Sequence, residues 1–308
     1  MNSDSALNRA QIALEGLSVG DALGGFFEFA HTKVPARVHL RQVPQSPWHW
    51  TDDSQMAASV FSVLRQTATI DQDLLAQSFA LHYERSRGYG PATRAILGRI
   101  QRGKNWREEA LSLHQGQGSF GNGGAMRVAP IGAFWAADLS SVVQQAAASA
   151  EITHAHPEAI AGAIAVAIAA ALAWQARQTT LPSPNRFLQL IQPWVPASQV
   201  AEGLVMAIQL DSTMPIATVA THLGNGSKIS AQDTVPFALW CAAQRLSNFE
   251  QAIWLTLEGL GDCDTTCAIV GGIVASYVGL EGIPSAWRAA REPLPAWAFA
   301  EELAKPIG

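Results

Sequence analysis

AIAGAIAVAIAAALAW, residues 159–174, is an uncharged run dominated by alanine, the strongest helix former, and it carries almost no bulk. As a run it falls short of the roughly 20 apolar residues that cross a bilayer. Its small side chains suit a buried helix that neighbouring helices approach closely. Outward from it, apolar residues recur at three- and four-residue spacing through 10–19, 56–64, 74–81, 92–100, 142–150, 200–208, 235–243 and 267–278. Gly, Pro, Asn, Asp or Ser flanks each stretch, and no series of alternating strands appears. The pattern predicts an all-α protein, a compact orthogonal helical bundle whose function sits in a cleft lined by loops.

Composition sets further bounds. The 308 residues are 48% hydrophobic and 15% charged, enough to bury a large core. No Pro/Ser-rich linker or charge block offers a boundary, so residues 1–308 are read as a single domain, and a monomer is expected. Residues 176–199, with four prolines, read as a connection. The net charge of −5 gives no basic footprint for duplex nucleic acid, although backbone N–H groups and bound cations can still receive a small anion. Residues 1–10 lack the apolar stretch of a secretory signal, and no membrane association is expected. Three cysteines, an odd number in a long chain, argue for a reducing compartment, with cytoplasm the default.

Two acidic loops carry the strongest chemical signal. Thr51-Asp52-Asp53-Ser54 lies just before the apolar pattern that starts near Met56, and Asp262-Cys263-Asp264-Thr265-Thr266 lies just before the one that starts at Cys267. One helix entrance needs one cap. Each loop instead offers two carboxylates and a hydroxyl. If the loops meet, four carboxylates converge, and the repulsion must be relieved by raised pKa values or by cations. Four carboxylates with two threonine oxygens suit two hard divalent ions. With no Cys/His cluster at zinc spacing, Mg²⁺ or Mn²⁺ is preferred. Cys263 and Cys267, a lone CxxxC pair, read as core packing.

Other loops are less decisive. Gly118-Ser119-Phe120-Gly121-Asn122-Gly123-Gly124 can turn successive N–H groups into an anion-binding concavity, though a tight turn explains it nearly as well. Phe120 is either a stacking face for a base or a loop anchor in the core. His154 and His156 sit before the alanine-rich run, where helix-entrance hydrogen bonding is the ordinary use. In Gly20-Asp21-Ala22-Leu23-Gly24-Gly25 the glycines suit a close backbone crossing. Glu28, between Phe27 and Phe29, is either a surface charge or a substrate-contacting carboxylate.

Taken in order, GDALG at 20–24, WTDDSQMA at 50–57, RGYG at 87–90, GSFGNGGAMR at 118–127, THAHPEA at 153–159 and GDCDTT at 261–266 resemble the ADP-ribosylglycohydrolase family. The resemblance implies a dinuclear Mg²⁺ or Mn²⁺ centre and cleavage at C1″ of ADP-ribose attached to a protein or other target, with ADP-ribose as product. It implies metal ligation by Thr51, Asp52, Asp53, Asp262, Asp264 and Thr265. It further implies Glu28 at the distal ribose, and with that site Asp53 or Asp264 is expected to help deprotonate the attacking water. Gly88, Gly90, Gly118, Ser119, Gly121 and Asn122 would then hold the diphosphate and its ribose, Phe120 would stack on adenine, and His154 would contact the ligand. Leu260 and Cys263 stand where the family motif GGDTDT has glycine and threonine, with every implied ligand position kept. The alternatives are hydrolysis of a free derivative such as O-acetyl-ADP-ribose, and a non-catalytic relative that binds ADP-ribose or serves structurally.

Overall fold

A computed structural model describes residues 3–28 and 35–300. Phe29, the apolar neighbour of Glu28 in the sequence, lies outside them. Among the described residues the regular structure is helical, and the only β feature is an isolated bridge between Trp48 and Arg291. The all-α expectation holds.

The alanine-rich run is the middle of a helix spanning Pro157–Ala176. Pro157 opens it at a position that needs no amide donor, and His156 caps it by accepting from the Glu158 N–H. At 20 residues the helix is long and apolar enough to cross a membrane, beyond what the run alone suggested. Its position in the core decides its role. It packs against the helices Ala129–Phe134, Leu139–Glu151, Ala231–Gln244 and Cys263–Val278, and nearly every residue from Ala159 to Ala173 is buried. Glycine on the facing helix permits this crowding: a Cβ on Gly132 would lie 1.9 Å from the Ala167 carbonyl oxygen.

The tightest pairing joins the N-terminal helix Ser3–Gly24 to Cys263–Val278. Gly16, Gly20 and Gly24, one turn apart, face the backbone of Gly271, Cys267 and Cys263 in reverse order, so the helices run antiparallel. A Cβ on these glycines would meet the opposing carbonyl oxygens at 2.5, 2.1 and 2.3 Å respectively. Real Cβ atoms do not approach that closely, so a side chain at Gly20 must push the helices apart. The antiparallel register also brings the end of one helix, carrying Asp21, to the start of the other, carrying Asp264.

Several boundaries differ from the sequence reading. The helices after the two acidic loops begin at Asp52 and Cys263, not near Met56 and Cys267, so Asp52, Asp53 and Asp264 occupy first helical turns. Apolar periodicity cannot register a first turn built from polar residues. Residues 176–199, read as a connection, hold the helix Pro184–Ile191, capped by Ser183, and a 3-10 turn at Gln192–Trp194. Two of the four prolines, Pro184 and Pro193, lie in N-terminal turns, where proline is tolerated.

Gly20→Ala is expected to lower unfolding stability by about 1–3 kcal/mol, the usual range for overpacking. Gly98→Ala, at a helical position where a Cβ meets only the Arg102 side chain at 3.7 Å, should be neutral or stabilising by up to about 1 kcal/mol. Urea denaturation of both variants checks the contrast.

Candidate active site

Thr51 caps the helix Asp52–Thr67: its hydroxyl oxygen accepts from the Asp53 N–H at 3.3 Å and donates its own proton to a carboxylate. Two acceptors lie within reach, Asp21 Oδ1 at 2.9 Å and Asp53 Oδ2 at 3.1 Å. Asp21 holds this turn more broadly. Its carboxylate accepts from the Thr51 N–H at 3.0 Å and from the Ser54 N–H and hydroxyl at 3.0 and 2.5 Å. The Asp that the sequence placed only among glycines of a crossing motif thus organises the entire first acidic loop.

The second loop closes on the first. One carboxylate oxygen from each of Asp21, Asp53 and Asp264 falls within 4.8 Å of the others, and the same holds for Glu28, Asp262 and Asp264. Asp264 is common to both groups, so the structure unites the two loops that the sequence singled out. Asp53, Asp262, Asp264 and Thr265 are buried, and Thr51, Asp52 and Glu28 are partly so. Asp264 Oδ1 also accepts from the Thr265 N–H at 2.7 Å.

Burial, then repulsion from Asp264, raises the pKa of Asp52, Asp53 and Asp262 well above the usual carboxylate range. The same two causes push Asp21 up to about 7, against hydrogen bonds from Ser54 and Thr51 that pull it down, and push Glu28 up to about 8. Asp53 Oδ1 is buried with no hydrogen-bond partner. An orphaned carboxylate oxygen in a buried acidic cluster is costly, and a bound cation relieves that cost. An all-oxygen donor set suits hard divalent ions. The residues present therefore fit bound divalent cations. Cys263 and Cys267 are buried free thiols raised in pKa chiefly by burial, and serve the helix crossing.

The glycine-rich loop joins this cluster through Asn122, whose side-chain amide donates to Asp262 Oδ2 at 2.6 Å and Thr234 Oγ1 at 3.0 Å. Gly118 has a φ of +79° and packs on the Ala155–His156 backbone, where a side chain would clash. The Ser119 carbonyl accepts from the His156 N–H, and its hydroxyl accepts from the Gly121 N–H. Gly121 lies against the His154 ring. Phe120 is partly exposed, with its ring between His114 and His156 at 5.1 and 5.6 Å. Gly88, exposed and at φ +92°, borders Asp52. Gly90 caps the helix Pro91–Ile100 with no atom within 4 Å of a built Cβ, and no described contact ties it to the cluster.

Three groups at the site were not singled out by the sequence reading. Asp21 is one. Another is the loop at residues 224–230: the Asn225 carbonyl accepts from the Asp262 N–H, and Gly226 lies where a Cβ would be 2.4 Å from the Asp262 Cβ. Its signal was present in the glycine-asparagine-glycine run at 224–226. The third is Glu292, which accepts from the Trp50 N–H at 3.0 Å, pairs with His49 at 3.1 Å and binds the Arg87 guanidinium. Arg87 in turn lies 3.4 Å over the Trp50 ring and donates to the Trp50 carbonyl. A cavity of about 350 Å³ opens beside these groups, lined by Glu28, Trp50, Thr51, Arg87, Gly88 and Asp264, among others.

A model of the family described as ADP-ribosylglycohydrolase matches residues 2–307. The chain belongs to the ADP-ribosylglycohydrolase family. It is an ADP-ribosylglycohydrolase enzyme by that membership. ADP-ribosylhydrolase ARH3 of Homo sapiens is 28% identical, with 92% of this chain and 89% of that protein covered. ADP-ribosylarginine hydrolase Tri1 of Pseudomonas putida is 26% identical, with 93% and 75% covered. A solved structure titled ADP-ribosylglycohydrolase-related protein complex superposes with a TM-score of 0.64 at 25% identity, covering 94% of this chain and 93% of that one. Among ADP-ribosylglycohydrolases this chain thus aligns over nearly its whole length.

His154 is buried, and burial with the nearby positive charge of Arg127 lowers its pKa to about 3 from the ordinary 6.5. Between those values the unfolded chain binds a proton that the folded one refuses. The His154 contribution to stability is therefore complete above pH 6.5 and is lost as pH falls toward 3. Urea unfolding at pH 7 and pH 4.5 should show wild type losing more stability on acidification than His154→Asn. Equal losses would contradict a neutral, buried imidazole.

Proposed function

We propose that the enzyme hydrolyses the C1″ glycosidic bond of ADP-ribose attached to a protein or other target, releasing ADP-ribose. We further propose that Thr51, Asp52, Asp53, Asp262, Asp264 and Thr265 hold two divalent cations, Mg²⁺ or Mn²⁺. The observation that carries this reading is the meeting of both acidic loops in one buried cluster, with Asp53 Oδ1 left without a partner. Family membership and relatives whose names specify ADP-ribosyl hydrolysis support the bond cleaved.

When bound, the cations would supply Lewis acidity and neutralise the carboxylates that otherwise repel one another. The chain's own groups divide the remaining work. Asp53 or Asp264 takes the proton of the attacking water. A carboxylate in this role needs only to lie within hydrogen-bond reach of that water. Glu28, at the cavity mouth, meets the distal ribose.

The glycine-rich loop binds the diphosphate and its ribose through Gly118, Ser119, Gly121 and Asn122, with backbone N–H groups as donors. Gly88, which borders Asp52 and lines the cavity, is added to this set, whereas no described contact supports the same role for Gly90. Phe120, partly exposed between two histidines, offers a face to adenine. The Asn122 to Asp262 hydrogen bond sets the spacing between the phosphate end and the scissile end of the substrate. Three free, buried cysteines suit a reducing compartment, and we assign the enzyme to the cytoplasm.

Incubation with ADP-ribosylated arginine, serine and nucleic-acid substrates plus Mg²⁺ is expected to release ADP-ribose from at least one of them. Asp262→Ala should lower that rate by about a hundredfold or more, in line with loss of a group that stabilises the transition state, while circular dichroism shows unchanged helical content. No release from any substrate, or wild-type rates in Asp262→Ala, would contradict the proposal.

A further inference from the structure

Arg127 is a fully buried cation in the core, outside the acidic cluster, with its guanidinium 4.5 Å over the Phe79 ring. Its nitrogens are committed to neutral acceptors: the Ser149 carbonyl at 2.5 Å, the Ser149 hydroxyl at 3.3 Å, Met56 Sδ at 3.5 Å and Thr153 Oγ1 at 2.9 Å. No carboxylate pairs with it directly among the described contacts. Such a placement is expensive, and it calls for a use.

The use follows from Thr153. This hydroxyl accepts from Arg127 and lies 2.8 Å from His154 Nδ1. Arginine carries only donors, so the direction of the first bond is fixed. The hydroxyl keeps one proton of its own, and His154 Nδ1 is the one acceptor the described contacts give it. Were Nδ1 protonated, two donors would face one oxygen and the buried hydroxyl proton would be left with no acceptor. The satisfied arrangement therefore runs Arg127 to Thr153 to His154, with Nδ1 accepting and the proton of the neutral ring on Nε2.

The other edge of the ring points at the glycine-rich loop. A Cβ on Gly121 would lie 3.1 Å from Nε2, and one on Gly123 would lie 2.9 Å from Nε2 and 2.7 Å from Cε1. None of the described hydrogen bonds uses Nε2. Glycine at both positions leaves the ring edge free of side chains.

We propose that Arg127 and Thr153 are positioning residues that lock His154 as its Nε2–H tautomer, so that the ring donates a hydrogen bond to an anionic oxygen of the ligand on the glycine-rich loop. The identity of that ligand as an ADP-ribosyl group rests on the proposed function. The tautomer does not. Burial and Arg127 keep the ring neutral across the working pH range, so the donor is present without a mobile charge. Thr153 supplies the polarity of the donor and Arg127 supplies the polarity of Thr153.

The test reads tautomer and affinity separately. In wild-type protein labelled with [¹⁵N]histidine, the His154 signals, identified by their loss in His154→Gln, should show an unprotonated Nδ1 and a protonated Nε2. Thr153→Val, which keeps shape and removes the hydroxyl, should disturb that pattern. It should also weaken ADP-ribose binding by calorimetry and raise KM, each about tenfold, with kcat changed by less than about threefold. Thr153→Ser should restore both. A protonated Nδ1 in wild type overturns the proposal even if Thr153→Val fails to fold. So does a folded Thr153→Val that binds ADP-ribose as wild type does. Wild-type protein that shows the Nε2–H pattern and yet binds no ADP-ribose refutes the ligand half of the proposal together with the proposed function, and leaves the tautomer lock standing.

Discussion

Everything at the cleft depends on how closely two helices cross. Gly16, Gly20 and Gly24 remove side chains from one face of the N-terminal helix, and the backbone of Cys263–Val278 fills the space. Because the pair is antiparallel, the end of the first helix and the start of the second arrive together. Asp21 and Asp264 come with them. A side chain at Gly24 would meet the Asp264 backbone and push it away from the helix that carries Asp21. Burial of the alanine-rich helix then provides a scaffold too tightly packed to absorb such a shift.

Into this rigid frame the protein places charges that oppose folding. Five carboxylates, Asp21, Glu28, Asp52, Asp53 and Asp262, have raised pKa values, each through burial first and then through neighbouring acids. Stability alone would not select that arrangement, and titratable groups so strongly perturbed beside a cleft mark a functional site. Arg127 is a fully buried positive charge whose pKa burial lowers to about 9, with Tyr89 and Asp52 acting against that shift. Asn122 and the loop at residues 224–230 fix Asp262, while Glu292 and Arg87 fix Trp50 beside Thr51. The two acidic loops are thus held by contacts from four distant parts of the chain.

Much of this was legible in the sequence because it is local. Alanine composition and 3.6-residue periodicity announce helices, and paired carboxylates with hydroxyls at two helix entrances announce an oxygen-rich site. What stayed hidden are partners separated by long stretches of chain. Asp21 sits 30 residues before Thr51, and Glu292 sits 242 residues after Trp50. An aspartate between glycines and a glutamate before a proline carry no local mark of the groups they will hold. The early starts of the helices at Asp52 and Cys263 were hidden for the opposite reason: their first turns are polar, so hydrophobic spacing begins only a turn later. Gly90, chosen from a motif, stands in open space, since a motif names a position without naming its neighbours.

The account stands or falls on whether the acidic cluster holds divalent cations. Crystals soaked in MnCl₂ and measured near the manganese absorption edge give the most direct test. The expected anomalous map has two peaks within the cleft, bounded by Asp52, Asp53, Asp262 and Asp264. A map without peaks there, from crystals that diffract well and retain the helical frame, would contradict it.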